Sequence, residues 1–279
     1  MKTGIITMEY YENRSKGSVG SSRIRGDWLV KNWPEAEHYA VGKKYDVLIF
    51  QKAYWEEMLR NYNGIKIFDI CDPDWLEFRP VVETIRLCDG VVTSSEALAE
   101  QIRKFDIDNK PVLCIPDRLD FEWSKPIRGK HEGVAKSCVY FGYSSNAHVL
   151  DSAIDGIARR GMKLTVISEK PYHTCDKFIE YDPETVNAEI IKHDVVVLPR
   201  ASSTDYRFQF KTNNKTIQSW ALRMPVAVTG VDLDRFLDGE EREKEAELRY
   251  NEVHQKWGID LSVKEYQNFI NLIKQNGKK

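Results

Sequence analysis

Apolar residues along this chain follow two alternating rhythms. Short unbroken runs rich in β-branched residues alternate with longer stretches whose apolar positions recur every three or four residues. The first rhythm marks strands buried on both faces and the second marks amphipathic helices, so the alternation predicts an α/β protein with parallel sheets. In the first half the strands are GIITM (4–8), YDVLIF (45–50), IKIFDI (65–70), GVVTS (90–94) and PVLCIP (111–116), with helices over 55–62, 81–87 and 95–105. In the second half they are SCVYFGY (137–143), KLTVIS (163–168), KFIEY (177–181), DVVVLP (194–199) and PVAVT (225–229), with helices over 148–160 and 183–192. Leu150, Ala153, Ile154 and Ile157 share one face of the former, and Gly161 suits its C-terminal cap.

Between the halves, SKPIRGKHEGVAK (124–136) is rich in Gly, Pro and charge and reads as a linker. The pattern therefore predicts two Rossmann-like, doubly wound parallel-sheet domains. Their expected bounds are 1–125 and 126–279, with a ligand in the cleft between them. The last amphipathic segment, 263–274, could pack back on the first domain. The charged run at 238–256 reads as a solvated helix face, with Glu240 and Lys244, and Glu245 and Arg249, spaced for ion pairs.

Several strands end in polar residues, namely Glu9, Gln51, Asp72 and Asp117, at the edge where open parallel sheets bind ligands. The stretch KTNNKTIQSWALRMPVAVT (211–229) is the most informative of these junctions. Ile217, Trp220, Ala221 and Met224 form the buried face of a helix that starts near Asn214 and is ended by Pro225. Its polar N-terminus is either capped by Asn213 or Asn214 or open as an anion site, since its amides lack partners and the dipole favours negative charge.

Composition narrows the function. With 41 basic and 43 acidic side chains the formal net charge is -2, so no global field draws the chain to nucleic acid or anionic lipid. The five cysteines form no metal-ligand spacing with the six histidines and read as reduced thiols. No segment has the apolar length of a membrane span, and the N-terminus lacks the pattern of a signal peptide, so a cytoplasmic protein is expected. No DxD motif lies in a metal-binding loop. Asp232 and Asp234 follow the last strand and read as caps of the next helix.

In order along the chain, VYFGY, the helix and LTVIS after it, HDVVVLPR (193–200) and KTNNKTIQSWALRMPVAVT resemble the C-terminal domain of GT-B glycosyltransferases, especially the family 4-like group. In the first half, GIITM leading into SKGSVGSSRIRGDWL, and CDGVVTSSEALAEQI, look like the companion acceptor domain. The resemblance implies a hexosyltransferase that uses a nucleotide-sugar donor and a hydroxyl acceptor, with no separate cofactor and no metal. The donor pyrophosphate would lie on the amides of Asn213, Asn214 and Lys215, with Lys211, Lys215, Arg200 and Arg207 supplying charge and Gly142 allowing close approach. Two departures stand out. Phe210 and Gln218 occupy the places of the family's paired glutamates, and Tyr143 and His148 those of its basic pair. Gln218 can still hydrogen-bond a ribose hydroxyl.

On the acceptor side, Gly17 and Gly20 permit a tight turn before Ser21, Ser22, Arg23 and Arg25. Arg23 would touch donor phosphate or an anionic acceptor, or would simply be a surface arginine. Asp72, between a strand and Pro73, is either the general base or an Asx-turn residue. Lys52 and Trp55 would wall the acceptor. The acceptor itself could be a saccharide, a protein or a nucleic-acid base, for which Arg14, Lys16, Arg23, Arg25, Lys31 and Trp33 offer local charge and stacking. The resemblance leans toward retention at the anomeric centre. A non-catalytic nucleotide-sugar-binding protein with a degenerate cleft is the reading from another class. The oligomeric state has no signature in the sequence.

Overall fold

The computed structural model describes residues 1–15, 19–105, 109–200 and 206–276. They form two compact α/β units. The first comprises Met1–Arg118, Tyr206–Thr212 and Ile259–Lys279, and the second comprises Leu119–Asp205 and Asn213–Gly258. The first change of unit thus falls after Arg118, where the sequence suggested 125/126. The whole expected linker, 124–136, belongs to the second unit, where its side chains are committed. Arg128 donates to the carbonyls of Ile191 and His193 at 2.8 and 2.6 Å, and buried His131 meets the Arg223 carbonyl at 2.8 Å.

The first unit carries six parallel strands, β1 (Thr3–Thr7), β2 (Ala36–His38), β3 (Val47–Gln51), β4 (Ile65–Ile70), β5 (Gly90–Thr93) and β6 (Val112–Cys114), in the order β2-β1-β3-β4-β5-β6. Every residue of β1, β3 and β5 is buried, as expected of strands covered on both faces. Register places Thr7 beside Gln51 and Gln51 beside Asp69, so the polar strand ends line up at one edge. One face is packed by Leu48, Phe50, Phe68, Ile85, Leu98 and Ile102. Phe210, from the returning Tyr206–Phe210 3-10 turn, completes that core and is 4% exposed. The Ile259–Asn276 helix, with buried Tyr266, Phe269 and Ile270, is part of the same unit.

The second unit has five parallel strands, β7 (Ser137–Phe141), β8 (Lys163–Ser168), β9 (Lys177–Glu180), β10 (Val195–Val197) and β11 (Val226–Ala227), in the order β11-β10-β7-β8-β9. Val139, Phe141, Ile167, Ile190, Val196, Leu222 and Met224 share its core.

Three elements depart from the sequence pattern. The expected helix at 148–160 is a 3-10 stretch, Ser144–Ser152, followed by a short α-helix, Ile154–Arg159. Gly161 does adopt the left-handed conformation at its end, with φ of 67°. The charged run is a helix, Gly239–Lys256, yet Arg242 within it is fully buried and donates to four carbonyls, those of Phe236, Leu237, Glu132 and Gly133, at 2.9–3.0 Å. Glu245 pairs with Arg249 at 2.8 Å, whereas Lys244 pairs with Glu241 at 3.1 Å instead of Glu240. Asp232 joins Thr229 in a capping box at the start of Gly230–Arg235, while Asp234 pairs with Arg160 at 2.7 Å.

Candidate active site

In the second unit, two of the residues expected on the donor side, Gly142 and Lys215, meet where β7 ends. Gly142 follows β7 with φ of 140°, a conformation that side-chain-bearing residues rarely adopt. A Cβ there would stand 2.7 Å from Lys215 Nζ. Lys215 lies in the first turn of the Asn214–Ala221 helix, whose apolar face, including buried Ile217 and Ala221, fixes its orientation. Its ammonium donates to the Tyr140 hydroxyl at 3.2 Å and lies 4.7 Å from that ring's centroid. Asn213 occupies the N-cap position but its side chain makes no capping hydrogen bond. Of the two readings of this terminus, side-chain capping by Asn213 is therefore not made.

Around this point, Glu169 just past β8 accepts from both the amide and the hydroxyl of Ser144, at 2.9 and 2.7 Å, and so pins the turn after Gly142. The rule that singled out Asp72, a carboxylate directly after a strand, would also have found Glu169. Tyr143 is half exposed, and His148 is exposed with its Nδ1 3.1 Å from the Ser145 carbonyl. Arg200 is exposed just beyond β10. Gln218 is tied down by donating to Asn187 Oδ1 at 2.9 Å, and Asn187 in turn donates to the Trp123 carbonyl at 2.7 Å.

In the first unit, Lys211 is held by Asp72. Its Nζ lies 3.0 Å from Asp72 Oδ1, and Lys52 Nζ lies 2.9 Å from Oδ2. Lys52 also pairs with Asp74 Oδ1 at 3.0 Å, and Tyr54 donates to Asp74 Oδ2 at 2.6 Å. The Lys52 backbone has φ of 51°, in the left-handed region, and its amide donates to the Asp69 carbonyl at 2.9 Å. Burial works against its charge, but Cys71, Asp72 and Asp74 more than restore it. For Asp72, burial raises the carboxyl and the two ammoniums bring it below its ordinary value. Asp74, by contrast, is raised because burial outweighs its partners.

The segment after β1 is helical around a π-helical turn, Gly20–Ser22, Arg23–Asp27 and Trp28–Asn32. Such turns redirect side chains and recur at functional sites. Lys16, Gly17 and Ser18 lie outside the described residues. Ser21 and Arg23 are partly exposed, but Ser22 is buried, donating to Gln51 Oε1 at 3.2 Å. Arg25, expected to meet the acceptor, is instead 3% exposed. It donates to Asp69 at 2.7 Å, to Asp117 and the Ile115 carbonyl at 2.9 Å, and to the Tyr266 hydroxyl at 3.2 Å. A side chain whose donors are so occupied has a structural duty and no reach to an acceptor. Trp55 is partly exposed beside Tyr11 and Tyr39, at ring-centroid distances of 6.4 and 6.1 Å.

Among the described residues there is no cluster of three His, Cys, Asp or Glu side chains suited to a metal ion, and no helix long and apolar enough to cross a membrane.

No family profile and no curated protein sequence matches the chain. Its fold does match solved structures. An α-glucosyltransferase in complex with UDP and a DNA 13-mer containing an HMU base is similar with a TM-score of 0.69 and 11% identity, over 97% of this chain and 99% of that one. Anabaena HepE in complex with UDP and glucose gives a TM-score of 0.67 at 10% identity, covering 95% and 98%. TarM of S. aureus gives 0.59 at 12% identity over 81% of this chain, which spans only 55% of TarM. The architecture is therefore the two-domain GT-B fold.

Proposed function

We propose that this chain is a glycosyltransferase, moving a hexosyl group from a nucleotide-sugar to a hydroxyl acceptor. The observation that carries the reading is the pairing of Gly142 with Lys215 at the N-terminus of the Asn214–Ala221 helix. Amides at a helix start, one ammonium and a glycine that keeps the approach open suit a diphosphate. In the reaction the acceptor oxygen bonds to the anomeric carbon as the bond from that carbon to the diphosphate oxygen breaks. The electron pair leaves with the nucleotide, where the same fixed donors stabilise the growing charge. Gln218, steadied by Asn187, would meet the ribose, and Asp72 would take the acceptor proton. Arg200, Tyr143 and His148 would border the donor, while Arg23, Ser21, Lys52 and Trp55 would border the acceptor. The order of motifs in the second half supports the family 4-like group, and the composition supports a cytoplasmic enzyme.

The test is calorimetry and thermal shift with UDP-, GDP-, ADP-, CMP- and dTDP-sugars, in EDTA and again with magnesium or manganese. A donor at ~100 times its Kd should stabilise the fold by ~2.7 kcal/mol, with equal affinity in EDTA. No response to any nucleotide-sugar would sink the reading, and a strict need for metal would sink the metal-free scheme.

A second reading concerns the acceptor. The similarity to a structure holding UDP and modified DNA favours testing a hydroxylated nucleic-acid base. Binding of such a duplex should weaken steeply with salt if phosphates are contacted. Donor binding without transfer to any acceptor would favour the non-catalytic alternative.

A further inference from the structure

Asp72, the carboxylate proposed as the base, has 32% side-chain exposure, but both of its oxygens are covered. The two lysines that cover it are unlike. Lys52 is 11% exposed in its side chain, fixed by a left-handed backbone and bonded to Asp74 as well as Asp72. Lys211 is 38% exposed and has Asp72 Oδ1 as its ion-pair partner. It follows the Tyr206–Phe210 turn, which is anchored by buried Phe210 packed edge-on against Trp75 at 5.3 Å and by Ser95 donating to the Phe210 carbonyl at 3.1 Å. It also comes just before Asn213, the N-cap of the helix proposed to take the diphosphate. That tether spans no more than about 10 Å when extended, and lysine presents its charge on a flexible four-carbon stem.

We infer that Lys211 is an exchangeable counter-ion: its ammonium covers Asp72 in the free protein and passes to the diphosphate of a bound nucleotide, uncovering Asp72 Oδ1 for the acceptor hydroxyl. The inference rests on the donor reading above. In the transfer the acceptor O–H proton goes to Oδ1 while the oxygen bonds to the anomeric carbon and the nucleotide leaves with the electron pair of the broken bond. Lys211 thereby links donor occupancy to the basicity of Asp72. An uncovered Asp72 would be a better base only when a donor is present, which limits acceptor activation in an empty site. Among the described residues, the charged and titratable groups facing Asp72 are Lys52, from the end of β3, Cys71 and Asp74 on its own loop, and Lys211. Tyr54 bears on it through Asp74, and Cys71 also senses Arg25 and Asp117. Lys52 stays in place throughout, so Lys211 is the one charge that changes.

The experiment compares pH profiles of kcat/KM, which report the free enzyme, with those of kcat, which report the complex. In the wild type the acid limb of kcat should lie about one to two pH units above that of kcat/KM, the scale of one nearby opposite charge. Lys211→Met should lift the kcat/KM limb to meet the kcat limb. Coincident limbs in the wild type, or equal movement of both in Lys211→Met, would overturn the exchange. A readout free of turnover is 13C NMR of labelled aspartate carboxyls, with the Asp72 signal assigned through Asp72→Asn. Saturating UDP should raise the Asp72 midpoint in the wild type and leave it unmoved in Lys211→Met. A rise of the same size in Lys211→Met would mean direct repulsion by the diphosphate and would overturn the inference. Calorimetrically proven UDP binding with a still midpoint would overturn it alone, whereas failure of every nucleoside diphosphate to bind would overturn the donor reading beneath it.

Discussion

Gly142 shows how much can depend on one missing side chain. Its φ of 140° is glycine territory, and the space a Cβ would fill is already taken by the end of Lys215. Gly142→Ala should therefore cost about 1–3 kcal/mol in backbone strain and push the ammonium aside. If the donor reading holds, calorimetry should find affinity for the nucleotide that binds about tenfold weaker, the equivalent of one hydrogen bond to a charged group. Unchanged affinity would remove the Gly142 and Lys215 pair from the donor site. Phe210 illustrates the opposite case, a large side chain at a place where the resembling family carries glutamate. Its burial in the first unit's core gives it about 1.5–3 kcal/mol of hydrophobic stabilisation, which explains why an acid there would be out of place.

At the level of elements, the strands were legible because each is an unbroken apolar run bounded by polar residues. The edge strand β2 was not, since Ala36–His38 carries only one buried residue and so has no run to read. The start of the expected 148–160 helix was misread, its 148–152 part being 3-10, because Leu150, Ala153, Ile154 and Ile157 keep helical spacing. Periodicity does not distinguish 3-10 from α over so short a length. The π-helical turn at Arg23–Asp27 left no trace in the pattern, and neither did the duty of Arg25, because its partners lie 44, 92 and 241 positions away. Gly142 and Lys215 could be read from local chemistry, but the Lys211 and Asp72 pair, 139 positions apart, could not. The Arg25 network ties the π-helical turn to β4 and to the final helix through charges that have no water to fall back on. Arg25→Met would leave Asp69 and Asp117 buried without their cation. Urea unfolding should register a loss of about 3–5 kcal/mol, and a loss below about 1 kcal/mol would refute the network as a stabilising element.

For the molecule as a whole, the response to acid follows from groups that resist protonation when folded. His131 and His193 are both lowered, chiefly by burial. The unfolded chain therefore binds protons at these imidazoles more readily, from about pH 6.5 downward. Their contribution is fully present above that pH and is lost as pH falls toward the folded-state values. Thermal melts from pH 8 to pH 5 should show Tm falling through the lower part of the range. A His131→Gln, His193→Gln double variant should show a shallower slope, and an identical slope would refute the assignment.

The return of Tyr206–Thr212 and Ile259–Lys279 to the first unit also governs how the gene can be cut. A clone ending near residue 118 would encode all six strands of that unit, yet omit Phe210 from its core and Tyr266 from the Arg25 network. A clone beginning there would carry Phe210 away from the pocket that buries it. Recombination between relatives would meet the same obstacle, since a single crossover at the midpoint exchanges pieces of both units together. The two units therefore cannot be parted by a single cut, and exchanging one between homologues calls for grafting internal segments, with their anchors, in place of exchanging halves.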